Sequence, residues 1–181
     1  MKTTTTTTTT MKKLRTVLVC ICLLSFLGCD TDEFAPSNMD VDRYVELLKK
    51  GKYEPFELPD FSYKDIPALL AYRNETQLIS NFPTNWISSA WFPECSLGMY
   101  VLWTIESIRA RAIDSEYLIG TFPSQNPVVE KKDAAGGIEQ GNEVQELIAK
   151  SYQDWWNSYK NKDFDQFKGI DPLMNTEYRW H

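Results

Sequence analysis

Residues Leu27-Gly28-Cys29 place a small residue directly before a cysteine, after a basic head of Lys12, Lys13 and Arg15 and an apolar run from Thr16 to Leu27. That order is the layout of a bacterial lipoprotein signal. Cleavage before Cys29 frees a thiol for diacylation and an amine for a third acyl chain. The apolar run is 12 residues long, short of the roughly 20 that span a bilayer, so it reads as a signal core and not as a membrane helix. One acyl chain binds a membrane marginally and two or more hold it durably. Cys29 is therefore the expected lipid attachment and the membrane the first expected partner. Phe26 departs from the pattern, since a Leu is usual three residues before the cysteine.

Little conventional catalytic equipment follows. Of four cysteines, Cys20 and Cys22 leave with the signal and Cys29 takes lipid, so only Cys95 remains and no disulfide can form within the mature domain. Cys95 lies beside an apolar run, where a buried, inert thiol is expected. The single histidine, His181, removes His-based triads and His-rich metal sites. There is no GxSxG, phosphate-binding glycine loop or HExxH. No metal, cofactor or catalytic residue is expected. A glycosidase needs only two carboxylates, and 25 acidic residues keep a carboxylate-based hydrolase as a third reading.

Binding chemistry is better represented. Glu106 and Arg109 stand three apart on a predicted helix and can pair, for about 0.3 kcal/mol if exposed; the alternative is that they line a cleft. Six tryptophans are many for this length. Trp103 and Trp155 fall on apolar stripes. Trp86, Trp156 and Trp180 remain as candidates to stack on a sugar ring or a partner, against the simpler reading that large aromatics fill the core.

These residues need elements to hold them. Val41, Tyr44, Val45 and Leu48 make one helical stripe, closed by Lys49, Lys50 and Gly51. Ser62 or Asp65 caps a second helix with Pro67 in its first turn. Residues 82–92 read as an irregular aromatic connection, with Phe-Pro reversals at 82–83, 92–93 and 122–123. The strongest helix runs from Ser96 to about Ala112, buried in its first half and emerging at Glu106, Arg109 and Arg111. Residues 124–141 read as a long solvated loop. Asn142 caps the last helix with Gln145 at N3, and its inner stripe is Val144, Ile148, Ser151, Trp155 and Tyr159. The aromatic tail to His181 is expected to dock on the body.

The predicted organisation is a signal at 1–28, a lipidated tether at 29–38 and a single helical domain at 39–181. Met11 can serve as an alternative start, with the threonine tract before it an unstructured leader. Cleavage leaves 153 of 181 residues, enough for one core. It removes four of nineteen basic residues and none of twenty-five acidic ones, moving the net charge from −6 to −10. Such a chain is a poor partner for nucleic acid. The fold expected is all-α: an irregular bundle, or a short HEAT-like array of helical pairs, with about four main helices and long Pro/aromatic connections.

The segments DIPALLAYRNET (65–76), SLGMYVLWTIESIRA (96–110), SYQDWWNSYKNKDFDQFKGIDPL (151–173) and EYRWH (177–181) resemble a group of small uncharacterised lipoproteins of Bacteroides and related bacteria. The resemblance implies kinship and an outer-membrane address without a reaction. The acidic residues Asp30, Asp32 and Glu33 resemble the stretch that directs such lipoproteins to the cell surface; the periplasmic face is the alternative. The function expected is a non-enzymatic envelope lipoprotein that binds a protein partner or has a structural role. An accessory glycan-binding lipoprotein of a polysaccharide-utilisation system is the alternative.

Overall fold

In the computed structural model, residues 39–133 and 137–181 are described; the expected signal and tether, including Cys29, lie outside them. Helix α1, Val41–Lys49, starts where Asp40 accepts the Arg43 N–H at 2.7 Å and buries Val41, Tyr44, Val45, Leu47 and Leu48. It ends in a Schellman closure, with Gly51 N–H on Leu48 O at 3.0 Å and Lys52 N–H on Leu47 O at 2.9 Å. Ser62 and Asp65 form a reciprocal capping box over a 3-10 turn, Tyr63–Asp65, that leads into α2, Ile66–Ala71.

Helix α3, Leu97–Ala112, is capped by the Ser96 side chain. Thirteen of its sixteen residues are buried, which makes it the centre of the molecule. It touches α1, α2 and the last helix, α4, Asn142–Tyr159. The emergence expected in its second half is confined to the end of the helix: Arg109 and Ala110 are buried, and Arg111 and Ala112 are half-buried.

The all-α expectation is wrong. Two antiparallel sheets accompany the four helices among the described residues, giving a mixed α/β fold. Strands β1, Leu78–Ile79, and β2, Cys95–Ser96, pair across the aromatic connection and deliver the chain into α3. Strands β3, Val129–Lys131, β4, Ile138–Glu139, and β5, Tyr178–Trp180, form a second sheet in the order β4-β3-β5. Its central strand falls inside the stretch expected to be a solvated loop. Strands of two or three residues are too short to show the period-2 alternation that marks a strand in sequence. Burial of Asn126, Val128, Val129 and Glu130 is the structural reason that the segment pairs.

The tail docks as an edge strand. Its register pairs Val129 with Trp180 and Glu130 with Arg179. His181 closes the ladder, donating its N–H to Val128 O at 3.0 Å and accepting from Gln125 N at 2.8 Å. The cross-strand Arg179 Nη2 lies 2.7 Å from Glu130 Oε1, over a carboxylate that is almost fully buried.

The last helix differs in detail from its sequence pattern. Gly141 is its N-cap, with no side-chain cap bond, and Asn142 is already helical. Gln145 does not reach back to the cap. Its Nε2 donates to Arg73 O at 3.2 Å and Glu75 O at 3.1 Å, tying α4 to the turn after α2. The buried face is therefore Gln145, Ile148, Ala149, Tyr152 and Trp155, rotated from the predicted stripe.

Gly98 permits that bridge. A Cβ there would sit 2.1 Å from Gln145 Nε2 and 2.4 Å from Arg73 O, inside contact with a rigid backbone carbonyl. Gly98→Ala should destabilise the fold by at least about 2 kcal/mol, as overpacking in a closed core does. Urea unfolding followed by circular dichroism measures it, and an unchanged midpoint would contradict the packing described.

Candidate functional site

Three places in the fold have the composition of a site: a buried polar network, an exposed aromatic face and a cleft.

The network brings together three of the residues singled out from sequence. Glu106 and Arg109 form a two-pronged pair, with Arg109 Nε 3.1 Å from Oε2 and Nη2 3.2 Å from Oε1. Both side chains are buried or nearly so. Tyr152 from α4 donates its hydroxyl to Glu106 Oε2 at 2.7 Å. The same hydroxyl accepts Trp180 Nε1 from the tail at 2.8 Å. Arg109 Nη1 also donates to Lys168 O. Burial holds the Glu106 carboxyl above its usual range, outweighing the opposing pull of Arg109 and of the hydrogen bonds. With the carboxylate held by Arg109 and Tyr152, and the indole N–H spent on Tyr152, the arrangement fastens the tail and α4 onto α3. Breaking a buried pair of this kind by removing one partner costs about 3–5 kcal/mol.

Trp156 borders this region through Trp155, with ring centroids 6.1 Å apart, and packs on Phe167 at 6.2 Å. It is half-buried beside a shallow hollow lined by Pro67, Arg73 and Lys160. Trp86 joins neither group. Among the described residues its ring contact is the buried Phe122, edge-on at 5.9 Å.

Trp86 instead heads the aromatic face. Its side chain is 64% exposed, and neighbouring Ile87 is also open to solvent. The ring lies across Gly120, where a Cβ would come within 2.9 Å of Cη2; Glu57 Oε1 is 4.0 Å from that same point. Phe56, the chain neighbour of Glu57, is 90% exposed, and Tyr117, also exposed, lies in the turn 115–118 that precedes the 119–122 turn holding Gly120. The preceding Asn85 is buried, donates to Ser124 O at 3.0 Å and accepts Ile87 N–H at 3.0 Å, which fixes the backbone beneath the indole. Trp91, 82% exposed, extends the same connection. Phe56, Ile87, Trp91 and Tyr117 were not singled out from the sequence. They sit on non-periodic segments, where no stripe distinguishes an outward ring from an inward one.

The cleft has a volume of about 360 Å³ and lies among β2, the end of β4 and the first turn of α4. Its apolar wall includes Leu78, Met99, Val128 and Val144, and its polar wall includes Glu94 and Gln145. Cys95 borders it, but burial raises the thiol far above its ordinary pKa, so the group is no nucleophile there. Among the described residues no cluster of three or more His, Cys, Asp or Glu has the geometry for a metal ion.

Burial also raises the phenols of Tyr44, Tyr100 and Tyr152 well above their usual value; for Tyr152 the Glu106 charge adds to it. A phenol whose pKa rises on folding contributes stability below its unfolded pKa and loses it as pH climbs past that value. Stability should therefore fall above about pH 10. Phenolate absorbance from these three tyrosines should appear together with loss of circular dichroism. Ionisation of all nine tyrosines before any loss of secondary structure would contradict the burial described.

A family model described as a domain of unknown function (DUF4943) matches residues 35–181. No curated protein and no solved structure matches the chain.

Proposed function

The chain belongs to the DUF4943 family, a domain of unknown function, and from that premise we propose that it is a non-enzymatic envelope lipoprotein that holds a protein partner on the aromatic face around Trp86. The observation that carries this reading is a stiffly mounted indole left in solvent. Phe122 packs its edge, Gly120 gives it room and the Asn85 turn fixes its backbone. An ordered tryptophan among exposed apolar neighbours loses little entropy when covered, and tryptophan is the residue most enriched where binding energy concentrates. Exposed apolar patches on monomers commonly mark contact surfaces.

The address follows from Leu27-Gly28-Cys29. Acylation of Cys29 tethers the domain to the outer membrane, and Asp30, Asp32 and Glu33 favour display at the cell surface over the periplasmic face. No described helix is long and apolar enough to cross a membrane, so the lipid is the anchor in this reading. With a net charge near −10 after cleavage, the domain suits a neutral or basic partner face.

A glycan is the second reading, favoured by the Glu57 carboxylate, which approaches the same Gly120 that the indole covers: a sugar's apolar face stacks on the ring while a hydroxyl donates to the carboxylate.

Two experiments test the proposal. Cells labelled with a palmitate analogue should mark the wild-type chain and not Cys29→Ser; label retained on the variant removes the anchor. Photo-crosslinking in living cells from Ile87 should capture a specific protein, and Trp86→Ala should weaken capture by about tenfold or more while the variant keeps a folded circular dichroism spectrum. Equal capture by the variant would remove the aromatic face. Retardation of the wild type on a polysaccharide affinity gel, lost in Trp86→Ala, would establish the glycan reading in its place.

A further inference from the structure

The cleft among β2, β4 and α4 shares no residue with the aromatic face, and its chemistry is different. Its deepest polar group is the Gln145 side chain, only 3% exposed. The two carbonyls of Arg73 and Glu75 fix the orientation of its amide, because both need its N–H groups. The amide oxygen then faces the other way, with no donor from the described residues. Among the described residues the one fully enclosed side-chain polar atom without a partner is Trp155 Nε1, so the Gln145 amide oxygen remains reachable from the cleft that Gln145 lines. A buried acceptor of this kind loses about 1–3 kcal/mol if left permanently unpaired.

Donors stand beside it. Gly141 supplies no capping side chain, so the first-turn N–H groups of α4 lack an acceptor among the described residues where Asn142 and Val144 line the cleft. At the rim, Glu94 is an exposed carboxylate without a partner among the described residues, whereas Glu139 already lies 3.7 Å from Lys131 Nζ. The wall between these groups is apolar. The site thus offers an acceptor at depth, N–H donors at one side, a free negative charge at the mouth and greasy surface between. A ligand that matches all four carries N–H and C=O groups together, a positive end and small apolar side groups. About 360 Å³ is at the small end of ligand pockets.

We propose that this cleft binds a short peptide of two or three residues through its main chain, with the peptide's free α-amine on Glu94 and a peptide N–H on the Gln145 amide oxygen. A peptide carbonyl or terminal carboxylate accepts from the first turn of α4, where the helix dipole favours it. The interaction is non-covalent and reads backbone and terminus more than sequence.

Saturation-transfer NMR on the full chain in detergent tests it, with two probes: an equimolar mixture of tripeptides bearing free amines, and the same mixture N-acetylated. The free-amine set should show transfer and the acetylated set should bind about tenfold more weakly, the loss of one charge-assisted contact. Glu94→Gln should erase the difference between the two sets. Val144→Trp, which fills the cleft, should abolish transfer from both. Glu94 is exposed, so its variant remains decisive if Val144→Trp does not fold. No transfer from either set, equal transfer from both to the wild type, a preference that survives Glu94→Gln, or full binding to folded Val144→Trp would overturn the proposal.

Discussion

A helix buried on all sides must find partners for its polar side chains, and in this fold those partners come from segments spread along the described chain. Thr104 on α3 meets Tyr44 of α1, hydroxyl to hydroxyl at 2.9 Å. Tyr100 donates to Pro83 O at 2.9 Å and so fastens the aromatic connection. Trp103 Nε1 donates to Ser124 Oγ at 2.8 Å, and Ser107 donates to Thr121 O. Glu106 accepts from Tyr152, which in turn accepts from Trp180, and Arg109 donates to Lys168 O. Each bond is modest in net terms, yet leaving any one of these groups unpaired in the core would cost a full desolvation penalty. The demand for satisfaction, more than apolar contact alone, fixes which segment lies where along α3. Apolar contact tolerates sliding; a buried hydroxyl with one acceptor does not.

The same logic explains the second sheet. The tail is drawn in because Trp180 must place its N–H, and Tyr152 offers the acceptor. Once there, its backbone completes the ladder of β3, and Arg179 supplies the cation that Glu130 needs. Trp155 Nε1, buried without a partner among the described residues, is the exception to this pattern. Its ring is held by Tyr152 and Phe167, at 6.3 and 5.3 Å between centroids, so packing sets its position and leaves the donor unused.

What the residues disclosed in advance were features that repeat or close within a few positions. The stripe of α1 runs from Val41 to Leu48, Gly51 stops it within two residues of its end, and Ser62 is one of two candidate caps before the next helix; the structure contains each. What they concealed depends on distant segments. Arg109 reads as a surface cation until Lys168 O and Glu106 enclose it, 59 residues away and three residues away respectively. Gln145 fits a local capping box, but its carbonyl partners lie 70 and 72 residues back, across a glycine whose importance is a matter of close approach and not of turn geometry. Val128 and Val129 carry a strand signal too brief to outweigh the Pro and Gly around them. For the site the division is the same: Trp86, Trp180, Glu106 and Arg109 were visible as residue types, while which of them share a location was not. Three of those four meet in a tie that holds the core, and the fourth stands in solvent.

Both surfaces that remain for binding inherit their rigidity from α3. Phe122 supports Trp86 from below and is itself stacked on Trp103 at 5.4 Å. The chain from the buried helix to the exposed indole is thus two ring contacts long. At the N-terminal end of α3, Ser96 and Met99 form part of the cleft, and Gly98 admits the Gln145 amide at its base. The recognising groups sit on short strands, turns and helix ends, segments with little stability of their own. They hold their geometry because each is fastened within one or two contacts of a helix that cannot move without exposing its core. Such preorganisation lowers the ordering cost of binding, and it gives the bonded polar side chains of α3 a consequence at the surface as well as in the interior.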